Sequence, residues 1–332
     1  MKLDQLKVAL VVSSSLTLVS SIFACAGETV TASNPANDAA SDGGQTAVDG
    51  AQSAVDGGTV GTSGLTLGNC GGTVDGDVPA FYRSYFRCAD IRMSGTDVVI
   101  TTKGLPPHPS NYYGVGNANY APFDTSRGAQ YKANPNLLTA QNVTISLPVA
   151  PAKKANLVVT AELVNGQATG ATSSVNYKMG PAGVALDSVI LFNPLAAPGD
   201  DIENEKYTFD DYAAHPAPGG AYHYHATSKG PLEVLAQAGI VSTSIPGAAE
   251  IELYGVMCDG ALVLGCTELD GSTPDESAFD AQNGHFHDVR SKTELLLADR
   301  YHVHLCPTKF AAHPRAFTPQ VQVYDRCAVT DK

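Results

Sequence analysis

The chain is short of several residue types, and each shortage narrows what the protein can do. It contains no tryptophan, 4 methionines and 20 lysines and arginines among 332 residues, against 33 aspartates and glutamates. The net charge of −13 argues against binding to nucleic acid, and against charge-driven binding to an anionic membrane, because both surfaces are negative. Metal ions and other cationic partners suit such a chain better.

Three familiar functional motifs are also missing from the sequence. No Gly-x-Ser-x-Gly segment occurs, which argues against a Ser-His-Asp hydrolase. No Cys-x-x-Cys occurs, which argues against zinc held by thiolates. All the methionines precede Cys306, whereas a blue-copper site usually takes an axial methionine after its cysteine, so we do not expect that type of site.

Turn-forming residues are plentiful, with 32 glycines and 20 prolines, and this composition is typical of a β protein. Strand-favouring runs lie at residues 97–102, 142–147, 157–164 and 251–257. Helices are predicted at 231–238, with Pro231 at the first helical position and Gly239 as a stop, and around 293–298. We therefore expect a mainly β protein, a β sandwich or barrel-like domain with a few short helices.

The first 25 residues predict an export signal, because a basic start is followed by a moderately apolar run and small residues. Ile22-Phe23-Ala24-Cys25 resembles a bacterial lipobox in which Cys25 becomes lipid-modified, whereas the overlapping Ala-x-Ala pattern fits ordinary secretion. Residues 26–66 are rich in Ala, Asp, Gly and Ser and predict a disordered tether. We favour an extracytoplasmic lipoprotein held at the membrane through Cys25, with secretion as the alternative.

The remaining cysteines support an oxidising compartment, where disulfides are expected. If Cys25 is acylated, an even number is left, namely Cys70, Cys88, Cys258, Cys266, Cys306 and Cys327. Six cysteines can pair in many ways, and closeness in the sequence suggests three bonds: Cys70 with Cys88, Cys258 with Cys266, and Cys306 with Cys327.

Six of the nine histidines form three His-x-His pairs, which are His223/His225, His285/His287 and His302/His304. In a strand, side chains two residues apart point to the same face about 6.6 Å apart along the chain, so two imidazoles can reach one ion. In a helix they would diverge. Three such pairs in the last third of the chain predict a shared metal-binding surface or cavity.

An ordered series of motifs resembles the YHYH-domain proteins. Tyr222-His223-Tyr224-His225 matches the motif that gives the family its name, the segment 104–108 is similar to its Asn-Gly-Ile-Pro-x-His block, and 301–304 to a second Tyr-His motif. Further blocks at 134–148, 180–194, 255–260 and 280–284 extend the resemblance over about residues 97–306. It departs at Asp187-Ser188, where the family has Asn-Gly, and at Gln282, where the family has cysteine.

The resemblance implies a YHYH-type β domain, which we place at residues 67–332, but no settled reaction. It supports the site positions His108, His223, His225 and His302, while His285, His287 and His304 depend on spacing alone.

The favoured hypothesis is a metal-binding module for copper or zinc, because both metals are commonly held by neutral imidazole. Under this hypothesis, His302 joins His223 and His225 as a metal ligand from a neighbouring strand, and His108 is a fourth ligand or a residue at the rim of the site. Among nearby carboxylates, which include Glu268, Asp280 and Asp288, Asp259 is the catalytic candidate. The alternatives are a metal-dependent hydrolase or oxidase with the same histidines, and a structural or adhesive surface module without metal. The sequence identifies no protein partner.

Overall fold

The structure, a computed structural model, describes residues 64–165, 173–197, 200–310 and 315–331. The predicted export signal, Cys25 and nearly all of the predicted tether lie outside the described residues. The described part contains twelve strands in two sheets and four short α-helices. The prediction of a mainly β protein with few helices is confirmed, and neither of the two described sheets closes into a barrel.

In chain order, the strands are β1 (Asp90–Ser94), β2 (Asp97–Thr102), β3 (Val143–Pro148), β4 (Pro181–Ala185), β5 (Ile190–Phe192), β6 (Ala214–Pro216), β7 (Tyr222–Tyr224), β8 (Leu253–Met257), β9 (Leu262–Leu264), β10 (Gly284–Arg290), β11 (Leu295–His304) and β12 (Ala328–Asp331). The α-helices are α1 (Ala80–Tyr85), α2 (Ala161–Asn165), α3 (Ile202–Glu205) and α4 (Lys229–Gln237). Short 3-10 helices occur at Asn111–Tyr113, Thr125–Arg127, Lys206–Thr208 and Glu276–Ala278.

The smaller sheet is antiparallel and has the order β1-β2-β3-β12. In β3, Val143, Ile145 and Leu147 are buried while Thr144 and Ser146 are half-buried, which is the alternation expected of a strand with one face on the core. The sequence predicted this strand correctly because the alternation is local.

The larger sheet has the order β10-β11-β9-β8-β4-β5-β7-β6, and its two halves are built alike. The β4–β5 hairpin is followed by a β6–β7 hairpin whose second strand runs parallel to β5. The β8–β9 hairpin is followed in the same way by a β10–β11 hairpin whose second strand runs parallel to β9. The halves meet where β4 and β8 pair antiparallel, so a local two-fold axis passes through the Val184–Val256 pair.

Glycines allow the two central strands to meet. Gly183 lies opposite Met257 and Gly255 lies opposite Ala185. A Cβ atom added at Gly183 would be 2.6 Å from the carbonyl oxygen of Val256, and one added at Gly255 would be 2.2 Å from that of Val184. Neither position can therefore accept a side chain without separating the strands.

Two local predictions are wrong. The run 157–164 is not a strand, since α2 begins at Ala161 and the β-favouring residues before it find no partner strand. Residues 293–298 are not helical, because β11 begins at Leu295 and pairs with β10. The helix predicted at 231–238 is confirmed as α4, although it begins two residues earlier, where Ser228 caps it by accepting a hydrogen bond from the Gly230 N–H.

All six cysteines predicted to form disulfides do so, as Cys70–Cys88, Cys258–Cys327 and Cys266–Cys306. The first predicted pairing is confirmed and the other two are wrong. In the β8–β9 hairpin, Val256 lies opposite Leu262, so Cys258 sits at the turn while Cys266 lies at the open end, and the two cannot meet.

Three disulfides suggest an extracytoplasmic protein. Within the described ranges, every helix is too short or too polar to cross a membrane.

The close approach of β4 and β8 predicts a strong effect of Gly255→Ala. The added methyl group would clash with the Val184 carbonyl, and we expect a loss of about 1–3 kcal/mol or more in the free energy of unfolding, measured by urea denaturation. The control is Gly76→Ala, at an exposed position where an added Cβ meets nothing within 4 Å. Equal stability of the two variants would contradict this account of the sheet centre.

Candidate metal centres

Histidine and carboxylate side chains converge at two places in the larger sheet. The first cluster consists of His215, His223 and His225, and the second cluster of Glu268, His285, His302 and His304. In each cluster, one ligand atom from every residue lies within 4.8 Å of all the others.

The clusters lie far apart in the sheet. Strands β7 and β11, which contain or lead into the pairs His223/His225 and His302/His304, are five strands apart, or about 24 Å at the usual strand spacing. His302 therefore does not join His223 and His225, and the expectation of one shared centre is wrong. The error is one of strand order, which the spacing of histidines along the chain does not determine.

The β6–β7 hairpin builds the first cluster. His215 lies directly opposite His223, and His225 follows two residues later on the same face. Gly219 and Gly220 form the turn, with φ angles of 89° and 84° that favour glycine. The sequence analysis missed His215 because it belongs to no His-x-His pair. Folding the chain about Gly219 would have placed it opposite His223.

Fixed acceptors determine which ring nitrogens of the first cluster carry protons. Nδ1 of His223 lies 2.8 Å from the carbonyl oxygen of Ala221, and Nδ1 of His225 lies 2.6 Å from that of Asn193. Since a carbonyl only accepts, each Nδ1–H must donate, and each Nε2 of the neutral ring is a lone pair. The two Nε2 atoms face each other at 2.8 Å, a repulsive contact unless a cation lies beside them.

The third ring of the first cluster is held in the same way. Nδ1 of His215 lies 2.6 Å from the Thr208 hydroxyl, which itself donates to the Glu205 carbonyl and so accepts from the ring. Nε2 of His215 is buried and has no hydrogen-bond partner. Three lone pairs therefore converge on one buried point.

Burial keeps these rings neutral. It lowers the pKa of His215 to about 3 and of His225 to about 4, and burial together with its two neighbours lowers the pKa of His223 well below its ordinary value. Neutral imidazoles with free Nε2 atoms are the form in which histidine binds a metal.

The β10–β11 hairpin builds the second cluster with the same arrangement. His285 lies opposite His302, and His304 follows two residues later. Nδ1 of His302 donates to the Arg300 carbonyl over 3.0 Å, and Nδ1 of His304 donates to the Gly265 carbonyl over 2.9 Å. The Nε2 atoms of these two rings are again lone pairs.

Glu268 completes the second cluster. Its carboxylate oxygens lie 3.1 Å from Nε2 of His302, 3.2 Å from Nε2 of His285 and 3.5 Å from Nε2 of His304. Although the first of these distances is short, Nε2 of His302 lacks hydrogen-bond geometry and has no partner. The negatively charged carboxylate of Glu268 faces imidazole lone pairs, and this repulsion is relieved if a cation lies between them.

An aspartate and a tyrosine frame each cluster identically. The Tyr222 hydroxyl donates to Asp210 over 2.7 Å, and the Tyr301 hydroxyl donates to Asp280 over 2.6 Å. The other oxygen of each aspartate accepts two backbone N–H groups from the loop that leads to His215 or His285. Each tyrosine immediately precedes a His-x-His pair, so this hydrogen bond fixes the loop against the strand.

A phenylalanine covers each cluster. The Phe209 ring centroid lies 4.9 Å from that of His215 and 5.9 Å from that of His225. The Phe279 ring centroid lies 5.3 Å from that of His285 and 5.2 Å from that of His304. Both phenylalanines immediately follow a 3-10 helix. These apolar rings lie against one side of each histidine cluster.

The structure places the remaining predicted site residues outside both clusters. His287 is exposed, with its ring centroid 5.8 Å from that of His285. Asp259 is buried and accepts hydrogen bonds from the Tyr177 hydroxyl and from the N–H groups of Ala261, Val323 and Tyr324. Its carboxylate therefore fastens the C-terminal segment to the sheet rather than facing an imidazole.

His108 belongs to a separate buried network. It stacks on Tyr212 with 3.4 Å between ring centroids, and its Nε2 lies 3.0 Å from the Tyr224 hydroxyl. That hydroxyl donates to Asp187 over 2.8 Å. The predicted role of His108 as a ligand or rim residue is thus not supported, because its ring nitrogens already have partners.

The fold and the clusters together define a disulfide-bonded β protein with two buried, histidine-rich candidate metal centres. The model of the YHYH protein family matches residues 147–267, which confirms the resemblance to YHYH-domain proteins over that part of the chain. The match contains the whole first cluster and ends one residue before Glu268. Comparisons with curated proteins and with solved structures find no match.

The network around His108 predicts a pH dependence of stability. Burial raises the pKa of Asp187 to about 7, whereas the unfolded chain releases this proton near pH 4, so the folded state binds more protons in between. The stability associated with protonated Asp187 is therefore lost as the pH rises from about 4 to about 7.

The side chain of Asp187→Asn stays neutral, so we expect the unfolding free energy of this variant to change less between pH 4 and pH 7 than that of wild type. The difference between the two changes should be as much as about 4 kcal/mol. Urea denaturation at pH 4, 5, 6, 7 and 8 measures the effect. Asp77→Asn, at an exposed position, is the control. Parallel pH profiles for wild type and Asp187→Asn would rule out this assignment.

Proposed function

We propose that the protein binds transition metal ions, copper or zinc, in both clusters. One observation carries the proposal: the Nδ1–H groups of five buried imidazoles are held by acceptors, which leaves their Nε2 lone pairs converging on two points. Zinc and copper accept neutral imidazole readily, and ligating histidines usually donate their other nitrogen to a carbonyl or carboxylate.

A shared proton is the main competing explanation for the contact between His223 and His225. It would require one ring to be an imidazolium, and burial lowers the pKa of both rings. The carboxylate of Glu205 lies 3.5 Å from Nε2 of His215, but burial raises its pKa to about 7, so it only partly offsets such a charge. A metal ion satisfies all three nitrogens together, which a single proton does not.

We further propose that the protein acts outside the cytoplasm and is anchored through a lipid on Cys25. The three disulfides support the compartment, and the lipobox-like segment supports the anchor. Residues 67–332 would form one YHYH-type β domain beyond the tether. This is supported by an apolar core that includes Ile100 and Ile145 of the smaller sheet and Val184 and Val256 of the larger one.

Metal content tests the first proposal. Untagged protein purified from an oxidising compartment should contain two metal ions per chain by elemental analysis, one for each cluster. His223→Gln with His225→Gln should lose one ion, and His302→Gln with His304→Gln the other. His287→Gln, at an exposed histidine outside both clusters, is the matched control and should keep both.

Thermal stability provides a second measurement that does not depend on the variants folding. Wild-type protein stripped by a chelator should regain stability when copper or zinc is returned, by about 4 kcal/mol for each occupied site at a metal concentration a thousandfold above the dissociation constant. A metal-free protein whose melting temperature does not respond would favour the structural or adhesive module instead.

Membrane fractionation tests the anchor. The wild-type protein should sediment with membranes, and Cys25→Ser should be released into the soluble extracytoplasmic fraction, because the acylated thiol is lost. Cys25 is not among the six disulfide cysteines, so the substitution leaves the disulfides intact. A variant that still sediments would refute lipidation at this residue.

A further inference from the structure

The two clusters correspond residue by residue along the chain. Gly-Val-x-x-Asp occurs at 183–187 and again at 255–259, Phe-Asp at 209–210 and 279–280, and Tyr-His-x-His at 222–225 and 301–304. Ala213 and Asn283, two residues before each hairpin histidine, both have a positive φ, of 58° and 60°. With the local two-fold axis of the sheet, these matches indicate that the second half repeats the first.

The repeat differs at one ligand. Glu268 is the fourth residue after β9, and the fourth residue after β5 is Ala196. A carboxylate therefore stands in the second cluster where the first half has a methyl group. A different carboxylate, Glu205, has its Oε1 3.5 Å from Nε2 of His215, but it is not part of the converging set.

Open space lies beside the first cluster. A cleft of about 1480 Å³ is lined by Ala196, by Phe209, which covers the first cluster, and by Ala226, which follows His225. Ala281 and Asn283, in the loop that leads to His285, line another part of it, and the histidines themselves do not line it, so Ala196 is the feature that distinguishes the first cluster. The residue that replaces Glu268 thus faces a volume large enough for a small molecule.

A disulfide bond stabilises the second cluster. The Cys266–Cys306 disulfide joins the segment that carries Glu268 to the end of the strand that carries His302 and His304. The first half has no such bond, since no cysteine occurs between Cys88 and Cys258.

We infer that the two clusters are copies of one metal site that have taken different roles: the second is a closed structural centre, and the first binds an exchangeable ligand from the cleft. The inference rests on the proposed metal binding. Structural metal sites fill their coordination shell with protein ligands, whereas sites that bind substrate keep a position for it. The ligand class is a small molecule with a lone pair that coordinates the metal directly.

Cobalt substitution with azide as the probe tests the inference. Two variants isolate the clusters: His302→Gln with His304→Gln keeps only the first, and His223→Gln with His225→Gln keeps only the second. Each is loaded with Co²⁺, and its visible absorption spectrum is recorded during an azide titration. We expect azide to shift the spectrum of the first cluster and to leave that of the second unchanged.

Exchanging the differing ligand provides the matched control. Glu268→Ala, added to the protein that keeps only the second cluster, should make its cobalt spectrum respond to azide. Ala196→Glu, added to the protein that keeps only the first cluster, should weaken or abolish its response. An azide response of the unmodified second cluster, or none from a cobalt-loaded first cluster, would overturn the division of roles. Failure of both proteins to bind cobalt would instead refute the proposed metal binding.

Discussion

The hydrogen bonds from the Nδ1 atoms of five imidazoles to fixed acceptors are the constraint on which both clusters depend. His223 and His302 donate to the carbonyl two residues earlier in the chain, while His225 and His304 donate to the first residue after the neighbouring parallel strand. These carbonyls are positioned by the sheet itself, so the tautomer of each ring is determined by strand pairing. The Nε2 lone pairs are therefore already directed towards one point, which would lower the entropic cost of the proposed metal binding.

Strand order explains why one type of site occurs twice and far apart. The parallel pairs β5–β7 and β9–β11 lie on opposite sides of the central β4–β8 pair, so each half of the sheet carries its own histidine hairpin near an edge. The matching Asp210–Tyr222 and Asp280–Tyr301 hydrogen bonds show that the supporting contacts are repeated together with the ligands.

The sequence correctly predicted the structural features that depend on local residue pattern. The alternation in β3, the capped helix α4 and the pairing of imidazoles two residues apart all follow from the geometry of a single element. The combination of His302 with His223, and the pairing of Cys258 with Cys266, failed because both depend on which strands meet and in which register. The repeat is present in the sequence but hard to recognise, because its matching segments lie 72, 70 and 79 residues apart and no single period aligns them.

Divergence between the clusters is confined to the parts of the fold that the sheet does not constrain. The three histidines of each cluster are positioned by a hairpin and by a parallel neighbour. The position that differs, Glu268 or Ala196, lies in a connection between two strands, which can vary in sequence at little cost to the core. Under the proposed metal binding, replacing Ala196 by a carboxylate, or Glu268 by a methyl group, would change the coordination shell while the histidines keep their places, so that a duplicated sheet could support one closed and one accessible centre.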